Sequence, residues 1–164
     1  MERILVSACL MGRKVRYDGG AKTSADAHLA AWREEGRLVV FCPEVEGGLP
    51  TPRPAAEIEG GAGGDAVLSG AARVLTTEGG DVTAEFLSGA QAALAVAQSF
   101  GVRLAVLKEG SPSCGPLSIY DGTFRGRRTP GHGVTAALLG LHGIKVFSEE
   151  HIPEAASYLR SLEA

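Results

Sequence analysis

The sequence predicts an α/β fold: a single-domain, Rossmann-like three-layer sandwich with a mostly parallel sheet and a small β-hairpin insertion. Three observations predict it. Short, mostly apolar runs (ILVSA, LVVF, LAVL) recur along the chain and end abruptly, as strands buried on both faces do. Segments with helical spacing separate these runs. Glycine and proline clusters such as EGGAGGD and TTEGGD punctuate the joints, where tight turns need them. Strands alternating with helices pair in parallel through right-handed crossovers.

Each element has its own signal. Ile4 to Ala8 is the first buried strand. After the polar turn GRKVRYDGGAK, Ser24 is expected to cap a helix that runs to Glu35 and stops at Gly36. Its apolar stripe is Ala27, Ala31 and the lone Trp32. Leu38 to Phe41 is the second strand, followed by a proline-rich loop. DAVLSGAARVLTTEG is expected to form two short strands joined around Ser69 and Gly70. Asp81 should cap a helix with Val82, Phe86, Ala90, Ala93, Leu94 and Ala97 on one side, ended by Gly101. Leu104 to Leu107 is the third strand, and PLSIYDGTF an extended piece containing a turn. A short helix from Gly133 to Leu141, a strand from Ile144 to Phe147 and a closing helix from Pro153 to Leu162 complete the chain.

The totals bound the function. At 164 residues the chain is expected to form one domain, 1–164, able to bury a core without staples. A formal charge of −3 gives no strong nucleic-acid signal. No apolar run reaches the ~18 residues of a membrane span. MER followed directly by ILVSA is too short and mixed for a secretory signal. Three cysteines, tens of residues apart, make a poor disulfide framework and suit a reducing, cytoplasmic compartment.

Those cysteines carry the chemistry. Cys9, Cys42 and Cys114 each fall at or just past the end of a strand-like run. Open α/β sheets bind ligands beyond the carboxyl ends of their strands, so three neighbouring strands would bring three thiols to one edge. A single cysteine is ordinarily a small buried hydrophobe; three at equivalent strand ends suggest a soft-metal site. No CxxC pair is present, which excludes a zinc ribbon. A zinc ion with three thiolates and one water fits the residues, with Glu44 as base. So does a 4Fe-4S cluster that keeps one iron free of protein ligands.

Glu44, two residues after Cys42, is a candidate general base, or else a solvated loop acid like Glu46. Ser111 and Ser113 flank Pro112 beside Cys114 and could donate hydrogen bonds to a ligand or cap the turn. Arg125, Arg127 and Arg128 precede a glycine-flanked helix start, a setting that favours anions, and His132 is a candidate ligand contact. Gly47, Gly48, Gly131 and Gly133 are expected to let backbone approach a ligand closely.

Taken together, SACLMGRKVRYDG, CPEVEGGLPTPRPAAEI, KEGSPSCG and YDGTFRGRRTPGHGVTAALL resemble the 2-thiouracil desulfidase family over Ser7 to about Leu139. The resemblance implies a 4Fe-4S cluster held by Cys9, Cys42 and Cys114, with one iron not ligated by protein. It implies non-redox removal of sulfur from a thiolated pyrimidine, by sulfur capture at the open iron and attack of water on carbon. Glu44 then looks like the acid/base residue and Ser111 a supporting group. The expected partners are a small thiopyrimidine and the cluster-assembly machinery. The rival expectations are a three-cysteine zinc hydrolase and a non-catalytic iron–sulfur carrier.

Overall fold

The computed structural model describes residues 1–164. In chain order the regular elements are β1 (Ile4–Ser7), α1 (Ala27–Glu34), β2 (Leu38–Phe41), α2 (Pro43–Glu46), β3 (Ala56–Ile58), α3 (Gly64–Leu68) and β4 (Val74–Thr76). Then come α4 (Thr83–Ser99), β5 (Leu104–Leu107), β6 (Ser118–Tyr120), β7 (Arg128–Pro130), α5 (Val134–Leu141), β8 (Lys145–Ser148) and α6 (Ile152–Glu163).

The main sheet has four parallel strands in the order β2-β1-β5-β8. Alternation along β1 divides the core in two, as successive strand residues face opposite ways. Ile4 and Val6 pack with Leu104, Val106, Leu29, Trp32 and Ile152, under α1 and α6. Leu5 packs with Val39, Ala105, Leu107, Ala97 and Leu139, under α4 and α5. The three-layer sandwich is therefore the observed architecture. A third cluster, with Ile58, Val67, Val74, Phe86, Ile119 and Val134, seats the small antiparallel pairs β3–β4 and β6–β7 against α4 and α5. Burying each large aliphatic side chain stabilises the fold by roughly 1.5–3 kcal/mol. No helix is long and apolar enough to cross a membrane.

Several elements differ from their sequence signals. The run expected as two strands around Ser69 is a helix, α3, followed by β4. The antiparallel partner of β4 is β3, with Glu57 opposite Leu75. A short apolar run reads equally well as strand or buried helix, and here Val67 is drawn into the third core cluster. The loop after Cys42 begins with one helical turn, α2, with Pro43 in its first position, where the missing N–H costs nothing. Asp26, not Ser24, caps α1: its Oδ1 accepts the N–H of His28 at 2.7 Å. Val82, not Asp81, is the N-cap residue of α4, but Asp81 one place earlier accepts the N–H and O–H of Thr83. That Thr83 hydroxyl accepts the N–H of Val74 and ties α4 to β4.

Candidate active site

The chain leaves β1 for β2 on one side and later builds β5 and β8 on the other. The order thus reverses between β1 and β5, which is where α/β sheets bind ligands. A cavity of about 480 Å³ opens there, lined by Cys9, Cys42, Cys114, Glu44 and Ser111 among others. Cys9 sits in a 3-10 turn directly after β1. Cys42 follows β2 as the N-cap of α2. Cys114 lies in the loop after β5, where its N–H donates to Ser111 Oγ at 3.0 Å. All three are free thiols, and Cys9 and Cys114 are buried.

The three thiols also act on one another. Burial pushes the Cys9 thiol up to about 11, and Cys42 adds to the effect. Burial raises Cys42 and Cys114 too, and Cys114 responds to both of the other sulfurs. Buried thiols that discourage one another's ionisation are poor nucleophiles, but a soft metal ion favours their thiolate forms.

Glu44, in the first turn of α2, is held by Arg53, whose Nε donates to Oε1 at 3.2 Å. Burial nevertheless raises its pKa, with the Arg53 and Arg16 charges opposing. A carboxyl so placed can hold a proton at higher pH than a surface glutamate. Arg53 itself is almost wholly buried and donates to Pro50 O, Thr51 Oγ1 and Val15 O as well. It pins two cavity loops together, and its buried charge is answered by Glu44.

The position of α2 is set by glycine. A Cβ at Gly47 would stand 2.1 Å from Glu85 O, and one at Gly89 would stand 2.0 Å from Pro43 O. Only because both lack a side chain can α2 lie directly on α4.

Glu109, just past β5, is only 4% exposed. Its Oε1 accepts N–H groups from Gly110, Leu117 and Ser118 and the Ser118 hydroxyl. Burial opposes its ionisation, but these hydrogen bonds outweigh burial and hold its pKa below the usual carboxylate range. It shapes the loop that carries Cys114. Neither Arg53 nor Glu109 stood out in the sequence, although both lie inside the conspicuous motifs.

The two serines separate. Ser111 lines the cavity, whereas Ser113 Oγ is buried against Thr135 Oγ1 at 2.8 Å. Arg128 reaches the cavity and stacks over Tyr120, 5.6 Å from its ring centre. Arg125, Arg127 and His132 do not line it, and His132 Nδ1 is engaged by Pro116 O. The expected anion site at the start of α5 is spent: the Val134 and Thr135 N–H groups donate to Pro112 O and Ser113 O. Gly47, Gly48, Gly131 and Gly133 are also absent from the wall, where Gly110 and Gly126 stand instead.

The wall carries Arg16, Lys22, Arg53, Lys108 and Arg128 against the carboxylates of Glu44, Glu57 and Glu109. This excess of positive charge suits an anionic group held by thiolates. No three of the His, Cys, Asp or Glu side chains converge closely enough for one metal ion. A tetrahedral zinc with Zn–S bonds near 2.3 Å would need its sulfurs within about 4 Å of each other. Three free thiols around one cavity are donors of the kind that iron–sulfur clusters take.

Fold and site thus define a class: an α/β protein with a thiol-lined cavity at its topological switch point and a protected carboxyl beside it. The chain belongs to the 2-thiouracil desulfurase family, whose pattern it matches over residues 4–151. It is similar to the solved structure of TudS, a 4Fe-4S-dependent thiouracil desulfidase, with a TM-score of 0.89 and 51% identity. That match covers 98% of this chain and 99% of the other. It is also 46% identical over 149 residues to the uncharacterized protein YbbK of Bacillus subtilis (strain 168), covering 91% of this chain and 97% of the relative.

Proposed function

We propose that this chain, acting as one domain over 1–164, is a non-redox desulfidase. It replaces the sulfur of a thiolated pyrimidine (thiouracil or a thiouridine nucleotide) with oxygen from water, releasing hydrogen sulfide. The observation that carries the reading is the meeting of Cys9, Cys42, Cys114 and Glu44 around one cavity, in a member of this family. The three cysteines hold a 4Fe-4S cluster, supplied by assembly machinery in the cytoplasm. With only three thiolate ligands such a cluster keeps one iron without a protein ligand, a soft Lewis acid suited to a thione sulfur.

The protein's own residues do the rest. Glu44, with Arg53 fixing its orientation at 3.2 Å, takes a proton from the attacking water and returns it to the leaving sulfur; the second water proton, shed as the new carbonyl forms, reaches the sulfur by the same carboxyl. The raised pKa of Glu44 suits it to both halves of that exchange. Ser111 Oγ already accepts N–H groups from Ser113 (3.1 Å) and Cys114 (3.0 Å). With both lone pairs engaged, its hydroxyl can only donate, which suits charge developing on the substrate. Water and thione in, oxo base and hydrogen sulfide out: no electrons change hands.

The test is anaerobic incubation of the reconstituted protein with 2-thiouracil, 4-thiouracil and a thiouridine nucleotide, without reductant. Thione absorbance should fall as sulfide appears. A fully loaded protein that leaves all three untouched refutes the reading in favour of an iron–sulfur carrier. Activity with zinc in place of iron refutes it in favour of a zinc hydrolase.

A further inference from the structure

Part of the cavity wall comes from the turn between β6 and β7, and the chemistry proposed above does not explain how tightly that turn is held. Glu57, in the middle of β3 and 9% exposed, sends Oε1 to the N–H groups of Gly122 (2.8 Å) and Phe124 (3.2 Å). Asp121 Oδ1 accepts the N–H and O–H of Thr123, and the Asp121 N–H donates to Arg127 O. The turn presses against the neighbouring strand: a Cβ at Gly122 would stand 2.7 Å from Ile58 O. Phe124 is held at φ 57°, the only residue other than glycine with positive φ in the chain. A bulky residue adopts that conformation only where its surroundings impose it, and such residues concentrate at ligand clamps. Glycine or asparagine at 124 would close the turn without strain. The chain instead places an aromatic ring there, 37% exposed and lining the cavity.

We propose that Phe124 binds and orients the substrate by stacking on the face of its flat ring, and that Glu57 is the positioning residue that holds Phe124 there. The proposal rests on the reading that the substrate is a thiolated pyrimidine and adds how its ring is recognised. Stacking accepts any base with a π face, so it fixes the plane of the ring and leaves the choice of reacting sulfur to the rest of the site.

The experiment uses cluster-loaded protein, with iron and sulfide content matched between variants. Phe124→Ala should raise KM for 2-thiouracil by roughly 5- to 100-fold, the range of an aromatic–base stack, and leave kcat nearly unchanged. Phe124→Tyr should behave as wild type, and Phe124→Leu, equally apolar but not aromatic, should resemble Phe124→Ala. Glu57→Ala should raise KM likewise and speed hydrogen exchange at the Gly122 and Phe124 amides. Glu57→Gln, whose amide oxygen can accept the same two N–H groups, should restore both. An unchanged KM in Phe124→Ala, or full rescue by Phe124→Leu, overturns the stacking role. Unchanged exchange in Glu57→Ala overturns the positioning role. If wild type turns over no thiopyrimidine, the proposed reaction fails and stacking is read from uracil binding by saturation-transfer NMR. Weaker uracil binding in Phe124→Ala then supports it; equal binding, or none by wild type, overturns it.

Discussion

Gly89→Ala adds one methyl group to α4, a helix that does not line the cavity, and should nonetheless cripple the enzyme. The added Cβ would stand 2.0 Å from Pro43 O, whereas C···O contacts close at about 3.3 Å. About 1.3 Å must therefore be found, and the atoms met are all backbone of Pro43, which yields only by moving whole elements. The lighter of the two helices is α2, a single turn with Cys42 at its cap and Glu44 within it. A shift of about 1 Å in a catalytic group can cost ~100-fold in rate. Stability should change far less, since overpacking costs about 1–3 kcal/mol while replacing helical glycine by alanine returns up to about 1 kcal/mol. Gly140→Ala is the control: it lies in α5 with open space around its Cβ and should keep full activity. The assay pairs urea unfolding with kcat on 2-thiouracil at matched iron content. Wild-type kcat in Gly89→Ala would refute the claim that this contact sets the position of Glu44.

Three further outcomes are expected. Cys9→Ser, reconstituted without oxygen, should lose most of its bound iron, because a soft site loses a thiolate; full iron and sulfide content would remove Cys9 from the ligand set. Glu44→Gln should keep its cluster yet turn over about 10²–10⁴ times more slowly, read from single-turnover kinetics; an unchanged rate would return Glu44 to a structural role with Arg53. Glu109→Gln should lose about 1–2 kcal/mol at pH 7, the difference between charge-assisted and neutral hydrogen bonds. The folded pKa of Glu109 is depressed, so its contribution is fully present above the ordinary carboxylate pKa and vanishes as pH falls through the lower folded value. Urea midpoints of wild type and variant should therefore converge in acid, and a gap that stays constant with pH would refute the assignment.

Much of this molecule was legible in its sequence because the signals were local. The runs at Ile4, Leu38 and Leu104 are short and dominated by apolar residues, and the structure places all three as adjacent parallel strands. Each delivers its cysteine to one end of the sheet, so the convergence of thiols needed only the rule for open α/β sheets. What stayed hidden was non-local. Glu57, Arg53 and Glu109 carried no signal of their own, since the groups that hold them belong to backbone and side chains elsewhere in the chain. The basic run at Arg125 misled for the converse reason: the N–H groups at the start of α5 are consumed by carbonyls at Pro112 and Ser113. The Asp65 to Leu68 stretch is too short for its period to choose helix over strand.

The strand order also dictates when the site can exist. Cys9 and Cys42 end neighbouring strands and can meet early, but Cys114 follows β5, which inserts beside β1 only after α3, β4 and α4 have been made. On a ribosome adding 5–20 residues per second, the roughly 70 residues between the second and third cysteines take about 4–14 s. Through that interval the nascent chain holds an incomplete pair of thiols. Delivery of the proposed cluster would therefore wait for the crossover to close, since a protein caught half-made lacks the third thiol.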